Sequence, residues 1–158
     1  MTNLNHLLSK QLDALLTNET NLIANMANTS ALINETLPKI NWAGFYLYDY
    51  SNNSLTLGPF QGKVACMHIK SGDGVCGTAI EQQSVIRVKN VHEFPGHIAC
   101  DAASNSEIVV PLIKNERLLG VLDIDSPIID RFSLEDEDLI VELANVFLNH
   151  VDNSAENL

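Results

Sequence analysis

The sequence predicts an α+β fold, with a central antiparallel sheet and helices packed mainly on one face. Apolar residues recur at helical spacing over the first 38 residues and again after Ser133. Between these helical segments lie short β-rich runs that are separated by turn residues. Successive strands joined by short turns pair antiparallel, and helices grouped outside the strand-rich region then cover one face of the sheet.

The predicted order of elements is two helices, strands, a helical crossing, strands and a final helix. The opening helices are amphipathic and stop at Pro38, and Ser133 with Asp136 resembles a capping box for the last helix. The expected strands span residues 42–48, 55–57, 64–69, 85–88, 107–113 and 117–124, with a short helix around 78–83. Residues 90–106 show no periodicity, which is typical of a functional loop.

Length and charge narrow the possible functions. A chain of 158 residues with 46% apolar content suits one domain, 1–158, with helices in 1–38 and the sheet and remaining helices in 40–150. The chain has 9 Lys and Arg against 20 Asp and Glu, a net charge of −11, so neither nucleic acid nor a membrane is expected as a partner. Because no leader-like start and no long apolar run is found, the sequence predicts a cytoplasmic protein.

The three cysteines, Cys66, Cys76 and Cys100, are the first candidates for chemistry. Cysteines in a reducing compartment favour redox, catalytic or metal-binding roles, and an odd number cannot all pair in disulfides. Cys66 also suits an inward-facing position on a buried strand. Cys100 lies in a polar loop where a substrate can reach its thiol, and His97 is a candidate neighbour for the thiolate.

A second candidate site combines carboxylates with aromatic side chains. Asp123 and Asp125 project from the same face of a strand, where each raises the pKa of the other. With Glu107 on the adjoining strand, the cluster suits an ammonium group and a protonated acid. Trp42 and Tyr46 share one strand face and could wall an apolar slot. A solvated strand end and core packing remain the alternative interpretations.

Residues 72–77, Gly-Asp-Gly-Val-Cys-Gly, match the G-x-G-x-x-G pattern of dinucleotide-binding loops. The helix that follows is too short for a parallel crossover, and the pattern lies in the middle of the chain. The glycines are therefore interpreted as a tight turn, and no dinucleotide is expected.

Taken together, several motifs resemble the free methionine-(R)-sulfoxide reductases, enzymes built from a single GAF-type domain. The resemblance runs from about Ile40 to Phe147 and includes the spacing of the three cysteines, which most sensory GAF domains lack. The motifs are Asn41-Trp42-Ala43-Gly44-Phe45-Tyr46, Leu57-Gly58-Pro59-Phe60-Gln61-Gly62, residues 72–77, Ala99-Cys100-Asp101, Ser106-Glu107-Ile108-Val109-Val110-Pro111 and Gly120-Val121-Leu122-Asp123-Ile124-Asp125-Ser126.

The resemblance implies a role for each candidate residue. Cys100 is the expected nucleophile, Cys66 the main resolving cysteine and Cys76 an additional thiol of the disulfide relay. The residues expected to bind the substrate are Glu107, Asp123, Asp125 and Trp42. Tyr46, which shares the strand face of Trp42, is also expected to contact it. The implied reaction reduces free methionine-(R)-sulfoxide through a sulfenic acid on Cys100 and a disulfide with Cys66. Thioredoxin then reduces that disulfide, and neither a bound cofactor nor a metal is expected.

Two other functions stay open on the sequence alone. One is a sensory GAF module that binds a ligand and regulates a partner. The other is a metal site built from Cys66, His68, His97 and Cys100, which are suitable zinc ligands at loose spacing. The leucine-rich first helix could pack on its own domain or on a second copy, and a homodimer is expected.

Overall fold

The computed structural model of the protein describes residues 3–97 and 103–152. These residues form α1 (Asn3–Leu16), α2 (Leu22–Thr36), β1 (Trp42–Asp49), β2 (Ser54–Gly62), β3 (His68–Lys70), α3 (Gly74–Gln82), β4 (Ile86–Val88), a 3-10 turn (Val91–Glu93), β5 (Ser106–Lys114), β6 (Arg117–Ser126) and α4 (Leu134–Asn149). Within this part of the chain, no helix combines the length and apolar content needed to cross a membrane.

The strands form one antiparallel sheet in the order β3-β2-β1-β6-β5-β4. The predicted hairpin between β5 and β6 is confirmed. Its two turn residues, Asn115 and Glu116, have φ angles of 52° and 64°, which is the backbone that a two-residue turn needs to match the strand twist. The central pair, β1 and β6, joins segments that are far apart in the chain.

Each face of the sheet carries its own apolar cluster. Helices α2 and α4 pack against one face, with α1 packed on these two helices, and Phe45 and Ile124 belong to the larger cluster there. Of the four helices in the described ranges, only α3 packs on the opposite face, against β5 and β6, beside Trp42 and Val121. The predicted class, with helices mainly on one face, is confirmed.

The end of α2 and the start of α4 lie where the sequence predicts them. Helix α2 ends at Thr36, two residues before Pro38. At the start of α4 the Ser133 hydroxyl accepts from the Asp136 backbone N–H at 3.1 Å, and the Asp136 carboxylate accepts from the Ser133 N–H at 2.8 Å. The predicted capping box is therefore confirmed.

Helix α1 packs on its own domain through α4. Leu8, Leu12 and Leu16 are buried in this contact, whereas Leu4 and Leu7 are exposed. Packing of this helix on its own domain, one of the two alternatives that the sequence left open, is thus confirmed. The homodimer remains a prediction.

The strand predicted at 64–69 is wrong over most of its length. Strand β2 extends to Gly62, well beyond the predicted 55–57, and β3 pairs only with its first three residues, Ser54 to Thr56. Residues 63–67 must therefore connect the far end of β2 back to β3. They form a loop, called here the Cys66 loop, so Cys66 does not occupy an inward-facing strand position.

The glycine-rich segment is a turn that opens α3, as expected. The helix begins at Gly74, earlier than the predicted residue 78, and Gly74 has a φ of +61° that favours glycine. A Cβ on Gly77 would lie 2.4 Å from the Lys70 carbonyl oxygen. These glycines bring α3 close to β3, which places Cys76 against the sheet.

Candidate active site

Three carboxylic acids meet on the sheet face that α3 covers. Asp123 and Asp125 alternate with Ile124 along β6, and Glu107 on β5 lies directly opposite Asp125 in the strand register. Asp123 is 5% exposed and Glu107 is 9% exposed, whereas Asp125 is half-buried. We call these three residues the carboxylate trio.

Burial raises the pKa of all three acids well above the usual range. For Asp123 the second cause is the charge of Asp125, and for Asp125 it is the charge of Glu107. For Glu107 it is the charge of Asp123. The Oδ1 atoms of both aspartates are buried without a hydrogen-bond partner among the described residues. Burial therefore favours the protonated form of these acids, and a shared proton, a water molecule or a ligand can satisfy the two oxygens.

Cys76 points from α3 toward the trio. Its thiol is buried and donates to Oε2 of Glu107 at 4.0 Å. Burial, followed by the charges of Asp123 and Glu107, raises the pKa of this thiol well above its usual value. In this geometry Cys76 is a protonated thiol and hence a weak nucleophile.

Cys66 lies in a loop that two aromatic side chains of β1 hold in place. Trp42 Nε1 donates to the Lys63 carbonyl oxygen at 3.1 Å, and the Tyr46 hydroxyl donates to the Cys66 carbonyl oxygen at 2.9 Å. Cys66 is half-buried and disulfide-bonded, whereas Cys76 is a free thiol. Cys100, the expected nucleophile, lies outside the described residues.

A small cavity of about 50 Å³ opens beside the trio. Its lining residues come from both sequence-predicted sites and from the Cys66 loop: Trp42, Ala65, Ile69, Asp73, Gly74, Val75, Cys76, His97, Ser104, Glu107, Asp123 and Asp125. The Trp42 ring forms one wall and stacks between Tyr46 and Phe60, with ring centroids 5.9 and 5.1 Å away. The cavity thus pairs an aromatic surface with buried acids.

Two side chains of the site have roles that the sequence analysis did not assign. Ser104 donates to the Asp125 carboxyl and accepts from Asn41 Nδ2 at 3.1 Å, so it orients one member of the trio. It comes from the aperiodic loop, where no local pattern marks it. Tyr46 stacks on Trp42 and directs its hydroxyl to the Cys66 loop, a contact that only the tertiary structure reveals.

His97 lies at the edge of the cavity, next to the undescribed segment. Its ring contacts that of His92, with centroids 5.9 Å apart. Partial burial and the nearby His92 lower the pKa of His97. The imidazole is therefore mainly neutral at pH 7. A neutral ring can donate a hydrogen bond to a thiolate or act as a base toward a thiol.

One group within the described ranges has the spacing of metal ligands. Ligand atoms of Cys76, Glu107 and Asp123 all lie within 4.8 Å of one another. The metal site left open as an alternative by the sequence consists of other residues. There Cys66 is disulfide-bonded, His68 is exposed on the edge strand β3, and Cys100 lies outside the described residues.

Comparison with known proteins identifies the family. The GAF domain model matches residues 11–150. Free methionine-R-sulfoxide reductase of Escherichia coli K12 is 56% identical over 130 residues, which are 82% of this chain and 78% of that protein. The chain belongs to the free methionine-R-sulfoxide reductase family. The resemblance found in the motifs is thereby confirmed.

Two further members of this reductase family extend the match. Free methionine-R-sulfoxide reductase of Saccharomyces cerevisiae is 46% identical, over 81% of this chain and 74% of the yeast protein. The X-ray structure of the Neisseria meningitidis reductase in complex with its substrate superposes with a TM-score of 0.91 at 37% identity. That superposition covers 100% of this chain and 96% of the Neisseria chain. The fold of this chain is thus that of a reductase solved with its substrate bound.

Proposed function

We propose that this protein reduces free L-methionine-(R)-sulfoxide to L-methionine. The observation that carries the proposal is the carboxylate trio beside Trp42, with two buried Oδ1 atoms that lack partners among the described residues. Relatives and a superposed structure named for this activity support the choice of substrate.

The trio explains a preference for the free amino acid. An α-ammonium group supplies three N–H donors and a positive charge, which suit carboxylate oxygens without partners. No Lys or Arg lines the described part of the cavity, so no side-chain cation there competes for the trio. A peptide-bound methionine sulfoxide has lost the ammonium group and would leave the buried Oδ1 atoms without a partner.

The raised pKa values suit the trio to acid catalysis as well. In the proposed reaction the Cys100 thiolate attacks the sulfoxide sulfur while a protonated carboxyl of the trio gives its proton to the sulfoxide oxygen. The attack forms a sulfur–sulfur bond. The hydroxyl group then moves from the substrate sulfur to Cys100 Sγ as that sulfur–sulfur bond breaks, which leaves a sulfenic acid on Cys100. Methionine is released, reduced by two electrons, and Cys100 is oxidised by two. Trp42 supplies an apolar surface for the substrate's methyl group.

Cys66 is the proposed resolving cysteine. Its thiol condenses with the Cys100 sulfenic acid, and water leaves as the disulfide forms. The disulfide-bonded state of Cys66 and the free thiol of Cys76 support this pairing. Thioredoxin then reduces the disulfide by thiol exchange, which fits a cycle that runs in the reducing cytoplasm without a bound cofactor.

The test is a comparison of substrates. The purified protein with thioredoxin, thioredoxin reductase and NADPH should form methionine from free methionine-(R)-sulfoxide and largely ignore the S epimer. The N-acetylated R-sulfoxide, which keeps the sulfoxide and loses the ammonium charge, should react at least about tenfold more slowly. Comparable turnover of the two R substrates would contradict the role given to the trio.

A second candidate function is the binding of a thiophilic divalent cation. It is favoured by the close ligand atoms of Cys76, Glu107 and Asp123. Metal analysis of the reduced, purified protein distinguishes the two. A stoichiometric metal that is lost in Cys76→Ser favours the metal site. A metal-free protein that turns over methionine sulfoxide favours the reductase.

A further inference from the structure

The Cys66 loop exposes two large apolar side chains. Val64 is 87% exposed and Met67 is 70% exposed. Single exposed apolar residues are common on protein surfaces. These two, however, flank a disulfide-bonded cysteine that must be reached from outside if the disulfide is to be reduced.

The local charge around the loop is opposite to that of the chain. Residues 62–72 contain no Asp or Glu, whereas the net charge of the whole chain is −11. Lys63 and Lys70, at the two ends of this segment, are exposed, as is His68. The surface therefore favours a partner that presents an apolar patch with acidic surroundings.

The loop is also held in a defined conformation. In addition to the bonds from Trp42 and Tyr46, the Met67 carbonyl oxygen accepts from the Leu57 N–H at 2.9 Å. Backbone contacts thus fix residues 63, 66 and 67, so a partner meets a surface that is already ordered. Less conformational entropy is then lost on binding.

We propose that Val64 and Met67, with Lys63 and Lys70 at their edges, form the docking surface for the dithiol protein that reduces the Cys66 disulfide. This inference rests on the proposed function, because it takes the disulfide to be the oxidised state of the cycle. A thiolate of the reductant attacks Sγ of Cys66, the disulfide breaks, and Cys100 leaves as a thiolate. The second thiolate of the reductant then attacks its own mixed disulfide and releases Cys66. Two electrons pass to the enzyme, and the reductant departs as a disulfide.

The experiment measures disulfide reduction directly, without methionine sulfoxide. The full-length protein is oxidised beforehand, and reduction is followed by thiol titration with either thioredoxin or the small molecule dithiothreitol. Val64→Glu and Met67→Glu should each lower the second-order rate constant with thioredoxin about tenfold, because an added acidic group opposes the acidic and apolar partner face. The rate constant with dithiothreitol should stay within about twofold, since a small dithiol needs no docking surface.

Leu15→Glu is the matched control, since Leu15 is 46% exposed. It lies on α1, in the helical layer on the sheet face opposite α3. It should leave both rate constants unchanged. An unchanged thioredoxin rate in the Val64 and Met67 variants would overturn the docking surface, and so would an equal loss with both reductants. Failure of the proposed function has a different signature, which is the absence of methionine formation while thioredoxin still reduces the disulfide.

Discussion

The two faces of β6 have different environments. Ile124 faces the apolar core on one side of the sheet, and its neighbours Asp123 and Asp125 face the cavity on the other side. Ile124 is fully buried among apolar side chains under α1, α2 and α4. The two aspartates line a cavity with a free thiol, and each has a buried oxygen without a partner among the described residues. Because side chains alternate along a strand, β6 presents an apolar residue that stabilises the fold on one face. On the other face it presents carboxylic acids, which are costly to bury but available for chemistry.

The largest effect is expected for the proposed nucleophile, because one cysteine substitution there should abolish turnover. Cys100→Ser should form no methionine even in a single turnover, because a hydroxyl is far less ionised than a thiol. Cys66→Ser keeps the nucleophile and should release about one equivalent of methionine per site before stalling as a sulfenic acid. Methionine quantification with a sulfenic-acid trap measures both outcomes.

The environment of Cys76 sharpens this prediction. As a buried, protonated thiol it should replace Cys66 only slowly, so the Cys66→Ser variant should stall nearly as completely as the Cys66→Ser/Cys76→Ser double variant. The assignment is reversed if Cys100→Ser yields a full equivalent of methionine and Cys66→Ser yields none.

A second prediction compares two adjacent residues of β6. Asp125→Asn should lower catalytic efficiency by about 30-fold or more, because a buried charged contact to a substrate is worth about 2–5 kcal/mol. Its free energy of unfolding should not fall and should rise at neutral pH, because the change removes a buried acid whose pKa is raised in the folded state. Ile124→Ala should do the reverse, losing about 2–5 kcal/mol of stability while each folded molecule keeps its activity.

Chemical denaturation and steady-state kinetics of the same preparations make this comparison. Asp138→Asn, an exposed position on α4, is the control for the substitution itself and should alter neither quantity. A fully active Asp125→Asn enzyme would show that the Asp125 carboxylate does not bind the substrate.

Local signals predicted most of the fold, and the failures occur where tertiary contacts decide. The β5–β6 hairpin and the α4 capping box were predictable because their determinants lie within a few residues of one another. Residues 64–67 were misread because an apolar run predicts a strand whether or not a partner strand extends alongside it. The pairing of β1 with β6 has no local signal and could not be derived from periodicity.

The site shows the same division. Asp123 and Asp125 were placed together by strand alternation, and Glu107 by the hairpin register. Ser104 could not be predicted because an aperiodic loop carries no pattern. Tyr46 was predicted only as a wall of the substrate slot, because residue spacing does not indicate a hydroxyl-to-carbonyl contact across 20 residues.

A third prediction concerns pH and has a smaller effect. Because burial raises the pKa of the trio in the folded state, the folded protein binds more protons than the unfolded chain above the ordinary carboxyl pKa. The free energy of unfolding should therefore fall as pH rises from about 4 through the raised pKa values, by about 1.4 kcal/mol per pH unit for each extra proton held.

Urea denaturation at a series of pH values measures this slope. Asp123→Asn should flatten it and should raise stability at neutral pH relative to the native sequence. Stability that rises with pH over this range would show that the trio is ionised in the folded protein.

The smallest expected effect separates two interpretations of Tyr46, as a wall of the substrate slot or as a support for the Cys66 loop. Tyr46→Phe keeps the ring stacked on Trp42 and removes the hydroxyl that donates to the Cys66 carbonyl oxygen. Loss of one such hydrogen bond typically costs about 1 kcal/mol. Formation of the disulfide from the sulfenic acid should then slow a few-fold, because Cys66 is less well positioned, while the first equivalent of methionine forms at the native rate.

Tyr48→Phe, which removes a hydroxyl bonded to Asn53 in the exposed β1–β2 turn, should change neither step. If Tyr46→Phe instead slows the first equivalent and leaves disulfide formation unchanged, Tyr46 acts on the substrate and the loop is held by its other contacts.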